Sequence, residues 1–250
     1  MKTLEKFQLE GVDYIVRNPH ALLGDEMGLG KTVQAVYAAR SLRAKSGIFV
    51  VPACAKINWA YELEDAGFPK GDIAILRGWK KPELRPFTIL NYELAIEPIV
   101  RDAICAHIWD FGVSDESHKL KNLESQRTKA VLGRGGIFSW ARRRLCITGT
   151  PLLNRPREIY PILKTLFPWV IADCPDYSRF AYKFCAAHHD NFGRIDDRGA
   201  SNTDELGRRL STVMLRRTKA QVFPHWEAPA LTPVYLERDP KLYASLNEKE

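Results

Sequence analysis

The chain has 250 residues, 45% of them hydrophobic, and 37 basic against 30 acidic side chains give it a net charge of +7. That is core enough for one large α/β domain or two small ones, so a folded enzyme is within reach. Five scattered cysteines without a Cys-x-x-Cys pair argue against a disulfide framework or a zinc site, and no apolar run approaches a bilayer span, so an intracellular protein with no membrane partner is expected, cytoplasmic in a bacterium or phage and nuclear in a eukaryote.

In chain order, Leu4, Phe7, Gly11, Val12 and Ile15 fall on one face of a first helix. Ala21 to Gly24 reads as a short strand that runs into GDEMGLGKT, after which Val33, Val36, Tyr37 and Arg40 continue as a second helix. Further strands are expected at Gly47 to Val51, Ile73 to Leu76, Phe87 to Leu90, Phe111 to Ser114 and Leu145 to Thr148. Helical patterns lie between them, and this alternation is the signature of an α/β fold with a parallel sheet covered by helices. After Thr150 the pattern is helical only, with helices expected at Arg157 to Leu166, Tyr177 to Ala187 and Thr203 to Arg217 around a polar loop or insertion from His188 to Asn202. Beyond Val222, Pro224, Pro229 and Pro233 interrupt any helix. Val234 to Glu237 reads as one more strand before a helical start at Asp239, and the chain stops inside that helix, as a longer protein cut there or a minimal stand-alone form would.

Three motifs carry chemistry. In the loop from Asp25 to Thr32, Gly28 and Gly30 let backbone N–H groups approach phosphate oxygens at a helix start, Lys31 reaches the β- and γ-phosphates, and the Thr32 hydroxyl ligates Mg²⁺. The usual opening glycine of such a loop is replaced here by Asp25. In FGVSDESHKLKN a strand ends in Asp115 and Glu116, where a phosphate-loop ATPase keeps one carboxylate on Mg²⁺ and the next beside the attacking water. In LCITGTPLLN, Thr148 and Thr150 end a strand beside that pair, placed either to sense the γ-phosphate or simply to make a good turn.

Charge is concentrated. From Lys119 to Lys164 there are eleven Lys or Arg against two Glu, a local +9, so the rest of the chain sums to about -2. Lys119, Lys121, Arg127, Lys129 and Arg142 to Arg144 read either as a track for nucleic-acid phosphates or as a solvated face. Trp59, Trp79 and Trp140 read either as core or as base-stacking platforms.

The ordered blocks Phe7-Gln8, DEMGLGKT, VVPACAKINWAYE, ILNYELA, WDFGVSDESHKLKN, RLCITGTPLLN and MLRRTKAQV resemble the first RecA-like lobe of Swi/Snf-type helicase-like ATPases of superfamily two. NRPREIY, YKFCAAHHDNFGRIDDRGASNTDEL and LRRTKAQV look most like the HARP-type annealing-helicase branch. The resemblance implies ATP and Mg²⁺ as cofactors, with Gln8 on the adenine edge, Lys31 and Thr32 on phosphate and metal, and Asp115 and Glu116 on metal and water. It implies a duplex-DNA partner met by the backbone of Pro52 to Lys56 and the turn at Asn91, Tyr92 and Glu93. Glu5 and Lys6 stand where the family often has Arg-Pro, and Ser117 replaces a common alanine. The implied organisation is an ATP-binding lobe over residues 1–155, a helical extension over 156–222 and a linker over 223–250 toward a second RecA-like lobe, supplied in cis or in trans. Arginines of that second lobe complete the active site in the family, so the chain alone is expected to bind ATP and to turn it over weakly or not at all. An ATP-driven double-stranded-DNA translocase is the expected function; an RNA helicase lobe and a non-hydrolysing, ATP-dependent binding module are the alternatives.

Overall fold

The segment GIFVV has no polar side chain, and it folds as a strand, Gly47–Val51, buried at every position. A strand without a polar face needs cover on both sides, which a helix-flanked parallel sheet supplies. The computed structural model of the protein describes residues 2–78, 80–149, 155–189, 194–223 and 225. Its sheet contains β1 (His20–Leu23), β2 (Gly47–Val51), β3 (Ile73–Ile75), β4 (Phe87–Asn91), β5 (Trp109–Ser114), β6 (Ala141–Ile147) and β9 (Met214–Leu215), in the order β3-β4-β2-β5-β6-β1-β9. Every pairing in it is parallel. A separate antiparallel pair, β7 (His188–His189) and β8 (Ile195–Asp196), lies in the polar stretch expected to be a loop or insertion.

Side-chain alternation divides the interior into two cores. Leu23, Phe49, Val51, Ile89, Val113 and Ile147 face one way, against α1 (Lys6–Arg17), α2 (Lys31–Ser41) and α3 (Lys56–Asp65). Leu22, Ile48, Val50, Leu90 and Cys146 face the other, against α4 (Tyr92–Ile96), α5 (Pro98–Cys105) and α6 (Gln126–Leu132). That second core runs on without a break into α7 (Tyr160–Leu166), α8 (Tyr177–Phe184) and α9 (Thr203–Leu210) through Leu163, Phe180, Phe184, Leu206 and Leu210.

Two expectations are corrected. The helix expected from Thr203 to Arg217 ends at Leu210, and Met214–Leu215 forms a strand instead. The outer edge of β1 would otherwise present unpaired backbone groups, and this segment satisfies them: Leu22 N donates to Val213 O (3.3 Å), Gly24 N to Leu215 O (2.7 Å) and Glu26 N to Arg217 O (2.9 Å). β6 begins at Ala141, four positions before the apolar signal at Leu145, because its amino-terminal end consists of Arg142, Arg143 and Arg144. Arg143 is held there by the end of α1, donating to Val16 O at 2.9 Å. The strand expected at Val234 to Glu237 and the helix start at Asp239 lie outside the described residues.

Parallel pairing brings the carboxyl ends of all the central strands to one edge of the sheet. In such folds that edge holds the ligand.

Candidate active site

The turn from β1 into α2 needs backbone that most residues avoid. Gly28 has φ +89° and Gly30 φ +70°, both in the left-handed region that glycine enters without strain. Gly30 is also closely approached, since a Cβ there would lie 2.5 Å from Gln8 Nε2, so the absence of a side chain lets the α1 glutamine rest against the loop. Lys31 folds back into this turn, its ammonium donating to Asp25 O (2.8 Å) and Glu26 O (3.2 Å). Gly149, at the end of β6, closes the other side, where a Cβ would stand 3.2 Å from Lys31 Nζ and 2.7 Å from Met27 Cγ. Burial pushes the Lys31 pKa below its ordinary value, opposed by the charges of Glu116, Asp25, Asp115 and Glu26. Thr32 sits in the first turn of α2, partly exposed.

Across from the loop, β5 ends at Ser114 and delivers Asp115 and Glu116. Glu116 is held at φ +49°, an uncommon conformation for a residue with a side chain. The two acids are tuned in opposite directions. Burial raises the Asp115 pKa, opposed by a hydrogen bond from Trp59 Nε1 to Oδ2 at 2.9 Å. A hydrogen bond from His118, whose Nδ1 lies 3.2 Å from Glu116 Oε2, keeps the Glu116 pKa low in spite of partial burial. Ser117, the departure from the usual alanine, is buried and donates to Ser114 O (2.7 Å) while accepting from Ile147 N (3.1 Å), pinning the end of β5 to β6. Thr148 is buried at the same edge; Thr150 lies outside the described residues.

The carboxylate of Asp25 points to a different partner. It is 0% exposed and accepts from Arg217 Nη2 (2.6 Å), Arg217 Nε (3.1 Å) and Gln34 Nε2 (3.1 Å). Arg217 also bonds the carbonyl of Phe7, stacks over the Phe7 ring with its guanidinium carbon 5.4 Å from the ring centre, and lies 3.6 Å from Glu10. One arginine thus ties α1, the start of the phosphate loop and α2 together. A Cβ at Gly11 would fall 1.7 Å from Gln34 Oε1, so this glycine makes room for the cluster. MLRRTKAQV stands out in the sequence as a block, but nothing local in it says which side chain reaches back to Asp25.

Lys56 opens α3 and donates to Leu76 O (3.0 Å) and Asn91 Oδ1 (3.3 Å), so two of the segments expected at DNA touch one another. The Tyr92 side chain is fully buried, its hydroxyl on Ser114 Oγ (2.8 Å) and Asp115 O (2.5 Å), which leaves backbone alone to face outward from that residue. Lys119 Nζ and Arg127 Cζ stand 5.8 and 5.5 Å from the Tyr92 ring centre, and Lys121 pairs with Glu158 at 3.4 Å. Arg142 to Arg144 do not join them. They occupy the amino-terminal end of β6, with Arg142 3.5 Å from Asp110, at the opposite edge of the sheet from Asp115. Trp59 is buried, Trp140 is 39% exposed, and Trp79 lies outside the described residues.

Residues 7–234 match the model of the SNF2-related domain. The chain belongs to that family. Its fold and motifs are those of the first, RecA-like lobe of SNF2-family helicase-like ATPases. It is 33% identical over 230 residues to human DNA annealing helicase and endonuclease ZRANB3, a match that covers 86% of this chain and 21% of that protein. It is 31% identical to the Xenopus tropicalis SWI/SNF-related matrix-associated actin-dependent regulator of chromatin subfamily A-like protein 1, over 88% of this chain and 23% of the relative. Helicase SWR1 of Saccharomyces cerevisiae is 29% identical over 88% of the chain and 16% of its own length. The chain therefore spans about a fifth of these relatives. Among solved structures, the Sulfolobus solfataricus SWI2/SNF2 ATPase core in complex with dsDNA shares the fold with a TM-score of 0.69 at 24% identity, over 87% of this chain and 45% of that one. Among the described residues no helix is long and apolar enough to cross a membrane.

Proposed function

We propose that this chain is the ATP-holding lobe of an ATP-driven double-stranded-DNA translocase of the annealing-helicase kind. The observation that carries the reading is the convergence of Gln8, Lys31, Gly149, Asp115 and Glu116 on one edge of the sheet. The cradle suits a nucleoside triphosphate. Two left-handed glycines expose backbone N–H groups at the start of α2, and a lysine ammonium sits inside the turn on carbonyls that phosphate oxygens would replace.

Mg²⁺, where bound, would supply the positive charge that neutralises the phosphates. Thr32 would hold it by its hydroxyl and Asp115 through its water shell. Among the described residues no three His, Cys, Asp or Glu side chains converge on a metal position, as suits a site completed by the nucleotide's own oxygens. Gln8, already against the loop, would take the adenine edge. The Asp25 carboxylate is committed to Arg217, so that residue would serve phosphate through its main chain. Glu116, kept ionised by His118, would orient and polarise the attacking water. Thr148 and Thr150 would pass the presence of the γ-phosphate to the DNA side, and a second RecA-like lobe, in cis or in trans, would supply the arginines that stabilise charge on the transferred group.

The DNA face would run over Lys56, the main chain at Asn91 and Tyr92, Lys119 and Lys121. Lys56 is pushed down in pKa by burial and by Arg77, and the negative charge of an incoming phosphate would oppose both effects. Such a face reads backbone charge and not sequence. Replacing Lys56, Lys119 and Lys121 together by alanine is expected to flatten the dependence of log affinity for duplex DNA on log salt, by about 0.9 for each DNA phosphate that is no longer neutralised. A salt titration by fluorescence anisotropy measures this, and an unchanged slope would remove these lysines from the interface.

A further inference from the structure

Asp115 is gripped by two side chains, one from the helix that continues from the Pro52 to Lys56 segment and one from the Asn91 to Glu93 turn, the two segments expected at DNA. Trp59, one turn into the helix that Lys56 opens, donates its indole N–H to Asp115 Oδ2 at 2.9 Å. Tyr92, which follows Asn91, gives its hydroxyl to the Asp115 carbonyl at 2.5 Å. Both side chains are fully buried, Trp59 against Phe49 with ring centres 5.3 Å apart. The two segments are joined on their outer side by the bond from Lys56 to Asn91.

A buried indole N–H needs an acceptor, and a main-chain carbonyl is enough; Trp109 uses the carbonyl of Ile104 at 3.1 Å. Trp59 instead takes a carboxylate oxygen of the residue read as the metal-holding acid. An N–H on Oδ2 and the Glu116 amide on Oδ1 at 2.9 Å fix the rotation of that carboxylate, and each oxygen keeps acceptor capacity for one more partner.

We propose that Trp59 is a positioning residue for Asp115, and that Trp59 and Tyr92 couple the DNA-facing segments to the hold of Asp115 on the metal. This rests on the reading of Asp115 as the Mg²⁺ carboxylate. DNA phosphate drawn to Lys56 moves the start of α3 and with it Trp59; by reciprocity, Mg²⁺-ATP on Asp115 alters the grip on DNA by the same factor.

The test uses the full-length protein and three variants. Trp59→Phe keeps a ring against Phe49 and removes the donor; it is expected to raise the Mg²⁺ concentration for half-maximal ATP binding about tenfold while affinity for ATP in EDTA stays the same. In wild type, saturating duplex DNA shifts that Mg²⁺ midpoint; in Trp59→Phe and in Tyr92→Phe the shift shrinks toward none although DNA is still bound. A protein that had lost only packing would lose ATP affinity with and without Mg²⁺ alike, which would overturn the proposal. So would a wild-type midpoint and a wild-type DNA shift in Trp59→Phe. If Trp59→Phe does not fold, Tyr92→Phe decides, and an undiminished DNA shift there overturns the coupling. Asp115→Asn separates the two levels: if it keeps the full Mg²⁺ dependence, the metal reading of Asp115 fails, whereas loss of Mg²⁺ dependence in Asp115→Asn with none in Trp59→Phe sinks the positioning role alone.

Discussion

Glu116→Gln is expected to bind ATP almost as wild type does and to hydrolyse it about 10²- to 10⁴-fold more slowly. The substitution keeps size and polarity and removes the negative charge that polarises water. Position as well as charge matters here, because Glu116 is fixed at φ +49° with its carboxylate on His118 Nδ1 and the Gly149 main chain. Strain of this order, about 1–3 kcal/mol, persists only where surrounding contacts impose it. The His118 bond makes Glu116 a weak proton acceptor but a constant charge, so orientation and polarisation of water carry its effect. Equilibrium ATP binding and single-turnover phosphate release, measured with a second RecA-like lobe supplied in cis or in trans, check both halves of the expectation. A rate within tenfold of wild type would move the water-activating role to another residue.

Arg217→Ala is expected to lower the stability of the fold by about 3–5 kcal/mol, the usual consequence of removing one partner of a buried ion pair. Asp25 is 0% exposed and its pair with Arg217, itself 13% exposed, is the contact that lets a carboxylate stand there. The same change frees the Phe7 carbonyl and Gln34, so the start of the phosphate loop and the helix bearing Gln8 lose their common tie. Nucleotide affinity should therefore fall together with the midpoint of urea unfolding. Arg217→Lys should recover only part of either, because a lysine cannot reproduce the fork that grips both Asp25 oxygens. A loss below about 1 kcal/mol, the scale of an exposed pair, would show that Asp25 finds water or another donor when Arg217 is gone.

Much of this was legible in the residues, and the part that was not shares one cause. The central strands announce themselves because a parallel sheet buries both faces, so Gly47–Val51 is an unbroken apolar run and Phe87 to Leu90 is interrupted only by the buried Thr88. The loop from Asp25 to Thr32 is legible because its glycines and lysine form a local pattern, and Gly28 and Gly30 adopt left-handed angles there. β9 was not legible. Met214–Leu215 is too short to have a period, and it becomes a strand because β1 has an edge to cover. Arg217 is equally hidden, since its meaning lies in a carboxylate 192 residues away in the chain. Trp59 reads as core or as a stacking platform; it is core, with one polar atom on Asp115 that no spacing rule would find. The basic stretch divides for a similar reason, its sequence running from the carboxyl edge of the sheet at Lys119 and Lys121 to the amino edge at Arg142 to Arg144.

The proposed function stands or falls on the coupling of ATP turnover to duplex DNA. The decisive measurement is ATP hydrolysis with a second RecA-like lobe supplied in cis or in trans, with no nucleic acid, with duplex DNA and with RNA of equal length. Strong stimulation by duplex DNA, little by RNA, and loss of the stimulated rate in Lys31→Ala are expected. Equal or greater stimulation by RNA, or a stimulated rate that survives Lys31→Ala, would contradict it.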